Sequence, residues 1–122
     1  MNKLVIVILS DPKNSTPEEA LGRMFNALVL ANDLKNRGCE FQVLFQGTGT
    51  RWVELLEDKD HVGHGLYVAV KEHIAGASMA CSTVFKANVT SLPLLSEFEI
   101  PGMGGVTSIA KYVEQGFIPV TF

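Results

Sequence analysis

A single α/β domain, with a mostly parallel sheet between two layers of helices, is the fold class that three features of the sequence predict. Strand-like apolar runs alternate with stretches of helical periodicity from one end of the chain to the other. The first run, Leu4-Val5-Ile6-Val7-Ile8-Leu9, is continuously apolar rather than alternating, as expected of a parallel strand covered on both faces. The 122 residues suffice for one domain with its own core, and no linker, repeat or low-complexity tract divides them, so residues 1–122 read as one unit.

Each element has a local warrant. Residues 3–9 form the first strand, and Asp11-Pro12-Lys13-Asn14-Ser15 turns away from it. Thr16-Pro17-Glu18-Glu19 opens a helix, with Thr16 as cap, Pro17 at the first helical position and Glu19 completing a capping box. Leu21, Phe25, Leu28 and Ala31 or Asn32 follow at helical spacing, widened by Met24 and Leu34. Lys35, Arg37 and Gly38 end the helix. The second strand spans residues 40–46, and Gly47-Thr48-Gly49-Thr50 turns into a helix that contains Arg51, Trp52 and Leu56. A third helical stretch covers about 65–74. A strand at 77–81 and a helix from Ser82 to Asn88 come next, with Gly76 ahead of them. Of the two short apolar pieces that follow, Phe98-Glu99-Ile100 is favoured over Leu94-Leu95 as the fourth strand. A glycine-rich loop through Gly102, Gly104 and Gly105 leads to a helix over 106–115, stopped by Gly116. The chain returns as a fifth strand, Phe117 to Phe122, whose Pro119 suits an edge position.

Composition narrows the function. The net charge is -3 and no Lys/Arg cluster exists, which argues against binding a nucleic-acid backbone. Six apolar residues after Lys3 are too few for a signal-peptide core or a membrane span, so a cytoplasmic protein is expected. Two cysteines far apart in sequence fit reduced thiols better than a disulfide framework. Charged residues are only 19% of the chain, which fits a surface partly covered by subunit contacts.

In open parallel sheets, ligands gather beyond the carboxyl ends of the strands. Four segments fall there: Ser10-Asp11, Gly47-Thr48-Gly49-Thr50, Cys81-Ser82-Thr83 and Gly102-Met103-Gly104-Gly105. Cys81 at a strand–helix junction is the leading candidate. A thiolate there is stabilised by helix-start amides, which Ser82 and Thr83 would supply. The competing expectation is that Cys81 is simply a small buried apolar residue. Cys39, at the amino end of the second strand, is assigned to structure. His64, in a polar 57–65 segment, is the candidate proton acceptor. Arg51 is placed to stabilise an anion, and Asp11 either binds a polar group or serves its own turn. The amides around Gly47, Thr48 and Gly49, and around Gly104 and Gly105, offer anion nests. Arg23 and Lys86 read as ordinary helix-surface charges. No metal-ligand set is complete around His61, His64 or His73, and there is no phosphate-loop, dinucleotide or serine-hydrolase fingerprint. No metal and no cofactor is expected.

The chain also resembles the DsrE/DsrF-like family of small sulfur-relay proteins. The resemblance rests on Val5-Ile6-Val7-Ile8, on Ala31-Asn32-Asp33-Leu34 leading through Gly38, on the segment from Gly76 to Phe85, and on Ile109-Ala110-Lys111-Tyr112-Val113-Glu114-Gln115-Gly116-Phe117. It implies a five-stranded parallel sheet between helices, in a fold related to flavodoxin-like and Rossmann-like ones. It also implies a homo-oligomer, with a trimer favoured over a dimer or hexamer, and a cysteine that carries sulfur as a persulfide between donor and acceptor proteins. Cys81 matches that cysteine by position. The alternative is a non-catalytic small-ligand or anion-binding module of the same fold, with Cys81 structural.

Overall fold

The computed structural model describes residues 2–122. Five strands form an all-parallel sheet: β1 (Lys3–Ile8), β2 (Phe41–Phe45), β3 (Ile74–Ser78), β4 (Leu94–Leu95) and β7 (Phe117–Thr121), in the order β4-β3-β2-β1-β7. The continuous apolar run in β1 has the expected cause. Ile6 and Ile8 enter one core, Val5 and Val7 another on the opposite face, and all four are fully buried.

The first core is roofed by α1 (Pro17–Asn36), α2 (Trp52–Glu57) and α3 (His64–Val70). Its sheet side is Ile6, Ile8, Phe41, Val43, Phe45 and Ala77. Helix α1 buries Ala20, Met24, Ala27, Leu28 and Ala31, a stripe rotated by about one residue from the one centred on Leu21 and Phe25. The small alanines let the helix lie close to the sheet while Leu21, Leu30 and Leu34 flank the contact, half-buried. Pro17 opens α1 as expected, but no capping box forms. The Asn14 side-chain oxygen accepts from both the amide and the hydroxyl of Thr16, at 2.9 Å each, and Glu19 pairs with Arg23 instead. Gly38 ends α1 at φ 72°, with the Cys39 amide reaching back to the Leu34 carbonyl and the Gly38 amide to that of Lys35.

The second core is smaller: Val5, Val7, Leu44, Tyr112 and Phe117, under α5 (Ile109–Glu114). Strand β7 lies at the sheet edge, so Pro119 is where a residue without an amide donor is tolerated.

Two strand assignments are corrected. Strand β3 runs over Ile74–Ser78 rather than 77–81, and Gly76 lies inside it. A Cβ on Gly76 would stand 2.3 Å from the Pro93 carbonyl oxygen, so the glycine marks a close backbone approach and not a turn. The fourth strand of the main sheet is Leu94–Leu95. Phe98–Ile100 (β5) instead pairs antiparallel with Gly104–Val106 (β6) in a separate two-stranded ribbon.

Candidate functional site

The carboxyl edge is assembled by a 3-10 turn, Gly47–Arg51, laid on the end of β1. The Gln46 amide donates to the Ile8 carbonyl at 3.0 Å and the Thr48 hydroxyl to the Leu9 carbonyl at 3.1 Å. A Cβ on Gly49 would stand 2.0 Å from the Ile8 oxygen, so only glycine fits. The Trp52 indole donates to the Ser10 carbonyl at 2.8 Å and buries its ring beneath. Gly49 is thus accounted for by packing and Gly47 by its φ of 58°, and the Gly49 amide is spent on the Gln46 carbonyl.

This turn carries Arg51 to Asp11. Arg51 Nη1 donates to both Asp11 carboxylate oxygens, at 3.0 and 2.9 Å, and Arg51 Nε donates to the Phe85 carbonyl at 3.0 Å. The Phe85 ring lies 5.8 Å from the guanidinium carbon. Asp11 also accepts from the Lys13 amide at 2.9 Å, so it serves its own turn as well as the ion pair. One guanidinium thereby ties the β1 loop to the end of α4 (Met79–Val84).

Helix α4 packs between that turn and β6. It starts three residues earlier than expected, which places Cys81 inside its first turn rather than before it. The consequence is a correction for Ser82 and Thr83. Once the helix begins at Met79, its carbonyl and that of Ser78 claim their amides. The side chains turn back likewise: Ser82 Oγ donates to the Ser78 carbonyl at 2.8 Å and Thr83 Oγ1 to the Met79 carbonyl at 3.2 Å. Neither residue has a donor left for a thiolate. Cys81 itself is partly exposed and its thiol is free, as is that of Cys39. Cys81 lies one helical turn before Phe85, whose amide donates to the Cys81 carbonyl at 2.9 Å and whose own carbonyl accepts from Arg51.

His64 is elsewhere. Its Nδ1 lies 2.7 Å from the Leu56 carbonyl at the end of α2, and since a carbonyl only accepts, that nitrogen carries the proton. The structure thus bonds His64 to the last turn of α2. Gly104 and Gly105 belong to the β5–β6 ribbon, where a Cβ on Gly105 would collide with the Ser96 side chain. Among the described residues, no three His, Cys, Asp or Glu side chains gather as a metal set. No helix is long and apolar enough to cross a membrane.

Several groups that sequence reasoning passed over lie on the same edge. Gln46 Oε1, Ser78 Oγ and Thr107 Oγ1 are buried without a hydrogen-bond partner. Phe45 and Ala77 are register partners, so Gln46 and Ser78 stand side by side at the ends of β2 and β3. A cleft of about 390 Å3 opens between the ends of β1 and β7, lined by Ser10, Asp11, Asn14, Glu19 and Arg23 among others. This is where the strand order reverses, the usual place for a ligand in such a sheet. A second cleft, about 220 Å3, brings Lys13 and Lys86 to Arg51. No spacing in the sequence relates residues 13, 51 and 86; only the fold does. No protein-family model, curated protein or solved structure matches this chain.

Proposed function

We propose that the protein carries sulfane sulfur as a persulfide on Cys81. The observation that carries this reading is the placement of Cys81: a free, partly exposed thiol in the first turn after β3, one helical turn before Phe85, whose carbonyl accepts from Arg51. Cys39 stands before β2, at the opposite edge of the sheet. The three-layer fold with five parallel strands accords with the one implied by the resemblance to DsrE/DsrF-like proteins, although a fold of this kind hosts many activities.

The chemistry needs neither metal nor redox partner. The Cys81 thiolate attacks the outer sulfur of a donor persulfide. A new S–S bond forms at Cys81 as the donor's own S–S bond breaks, and the donor leaves as a thiolate. An acceptor thiolate then repeats the exchange and releases Cys81. The guanidinium of Arg51 is bound to the carbonyl of Phe85, one helical turn beyond Cys81, and its Nη1 is committed to Asp11. Self-association, as a trimer by resemblance, belongs to the same proposal. The elements over the second core leave Phe98 and Val113 each 50% exposed, apolar surface that another copy would cover.

Intact mass after incubation with a sulfane-sulfur donor tests the carrier. A single added sulfur is expected in the wild type and in Cys39→Ser, and none in Cys81→Ser. Full loading of Cys81→Ser, or none in the wild type, rules the proposal out.

A second reading has its own observation, the 390 Å3 cleft at the reversal of strand order, which Cys81 does not line. There the protein would be a binding module for a small polar ligand, with Cys81 structural. An unloaded wild type that binds such a ligand as well as Cys81→Ser does would favour it.

A further inference from the structure

The chain is acidic overall, yet its 220 Å3 cleft is lined by cations from three separate segments. Pro12 and Lys13 come from the loop after β1, Arg51, Glu54 and Leu55 from the turn and helix after β2, and Lys86 and Ala87 from the exit of α4. Asp11 pairs with Arg51 and Glu54 lines the cleft as well, so Lys13 and Lys86 bring the charge that no carboxylate offsets by contact. Arg23, Lys35, Arg37, Lys71 and Lys111 each pair with a carboxylate, as Arg51 does. Among the described residues, Lys3, Lys13, Lys59 and Lys86 pair with none, and of these four Lys13 and Lys86 share a cleft.

Each cation stands on backbone that hydrogen bonds fix in place. Arg51 spends Nε on the Phe85 carbonyl and Nη1 on Asp11, which leaves Nη2 as a spare donor on a guanidinium that cannot swing away. Lys13 is set by the bond from its amide to Asp11. Lys86 is the telling case. Its φ is 53°, and no other described non-glycine residue has a positive φ. The bonds around it, Ala87 amide to Ser82 carbonyl at 2.8 Å and Lys86 amide to Thr83 carbonyl at 3.3 Å, form the same left-handed helix exit that ends α1 at Gly38. Helix α5 likewise ends on a left-handed glycine, Gly116 at φ 91°. At two of three such exits the chain uses the residue that the conformation favours, and at the third it carries a lysine against a steric cost. Strain of this kind persists where the side chain is needed.

We propose that this cleft binds a doubly charged tetrahedral oxyanion, a phosphate or a sulfur oxyanion, through Lys13, Lys86 and Arg51 Nη2. Ammonium groups and a guanidinium edge give charge-assisted donors from three directions. The volume falls below the roughly 300–1,000 Å3 of sites for drug-sized ligands, which suits a small anion with part of its water shell. The site stands whether or not Cys81 carries sulfur.

Calorimetric titration of the full chain with inorganic phosphate and with sulfate, at constant ionic strength, tests it. The comparison needs Lys86→Gly, Lys13→Gln and, as a control that does not line the cleft, Lys59→Gln. Saturation at one site is expected, about tenfold weaker in Lys86→Gly and in Lys13→Gln and unchanged in Lys59→Gln. The tighter of the two anions identifies the class. Lys86→Gly should also melt at a higher temperature than the wild type in chloride, so its weaker binding is not a folding defect. Failure of both anions to saturate overturns the proposal. So does wild-type binding by Lys86→Gly and Lys13→Gln, an equal loss in Lys59→Gln, or a Lys86→Gly protein less stable than the wild type.

Discussion

The two faces of the sheet are covered to different depths. One face holds Ile6, Ile8, Phe41, Val43 and Phe45 under the 20-residue α1 together with α2 and α3. The other holds Val5, Val7 and Leu44 under the six-residue α5. The order β4-β3-β2-β1-β7 explains the inequality. Right-handed crossovers that step in one direction put their helices on one face, and only the return from β4 to β7 puts a helix on the other. Stability is therefore concentrated on the first face, while exposed apolar side chains stand on both, Val29 and Val68 on helices of the first and Val113 on the second. The clefts belong to neither face: they open at the carboxyl edge, where loops from both sides meet.

The largest effect is expected at the seam between strand and turn. Gly49→Ala puts a Cβ against the Ile8 backbone carbonyl, which cannot move without breaking the sheet, and should cost about 4 kcal/mol. A urea midpoint within experimental error of the wild type would show that the turn does not need its glycine. Next, Met24→Ala on the first face should cost about 3 kcal/mol, and Ile109→Ala, half-buried on the second, about 1 kcal/mol. Equal shifts in the denaturation midpoint, at unchanged slope, would abolish the proposed difference between the faces. The smallest effect on stability is expected from Val113→Glu, within about 0.5 kcal/mol, since the side chain is already half exposed. Its effect on assembly should be larger. Sedimentation equilibrium is expected to find the wild type heavier than the 13.3 kDa chain and Val113→Glu at the mass of one chain. A wild type that sediments as a single chain removes self-association.

Some residues announced their roles locally. The unbroken run from Leu4 to Ile8 marked a strand covered twice, Pro17 and Gly38 bracketed α1, and Pro119 pointed to the sheet edge. Others were misread because their cause lies far off in sequence. Gly76 reads as the residue ahead of a strand at 77–81 but lies inside β3 against the Pro93 carbonyl, and β3 and the start of α4 both fall three residues earlier than expected. Ser82 and Thr83 lost their proposed part for the same reason. Thr16 had every local reason to cap α1, yet Asn14 captured its hydroxyl. Lys86 looked like one more surface charge, since nothing in its neighbourhood in sequence shows a positive φ or the approach of Lys13 and Arg51.

By itself, then, the sequence determined the class of fold and the alternation of elements, and it placed Cys81 and Arg51 on one edge. Apolar periodicity, proline and glycine act within a few residues, and those effects are legible along a chain. Only the tertiary structure decided which strands pair, which glycines are pressed against a carbonyl, and which side chains end up without a partner. The approach of Lys13, Arg51 and Lys86 is of that second kind. It depends on crossovers that bring the ends of β1, β2 and α4 together, and local propensity carries no record of them.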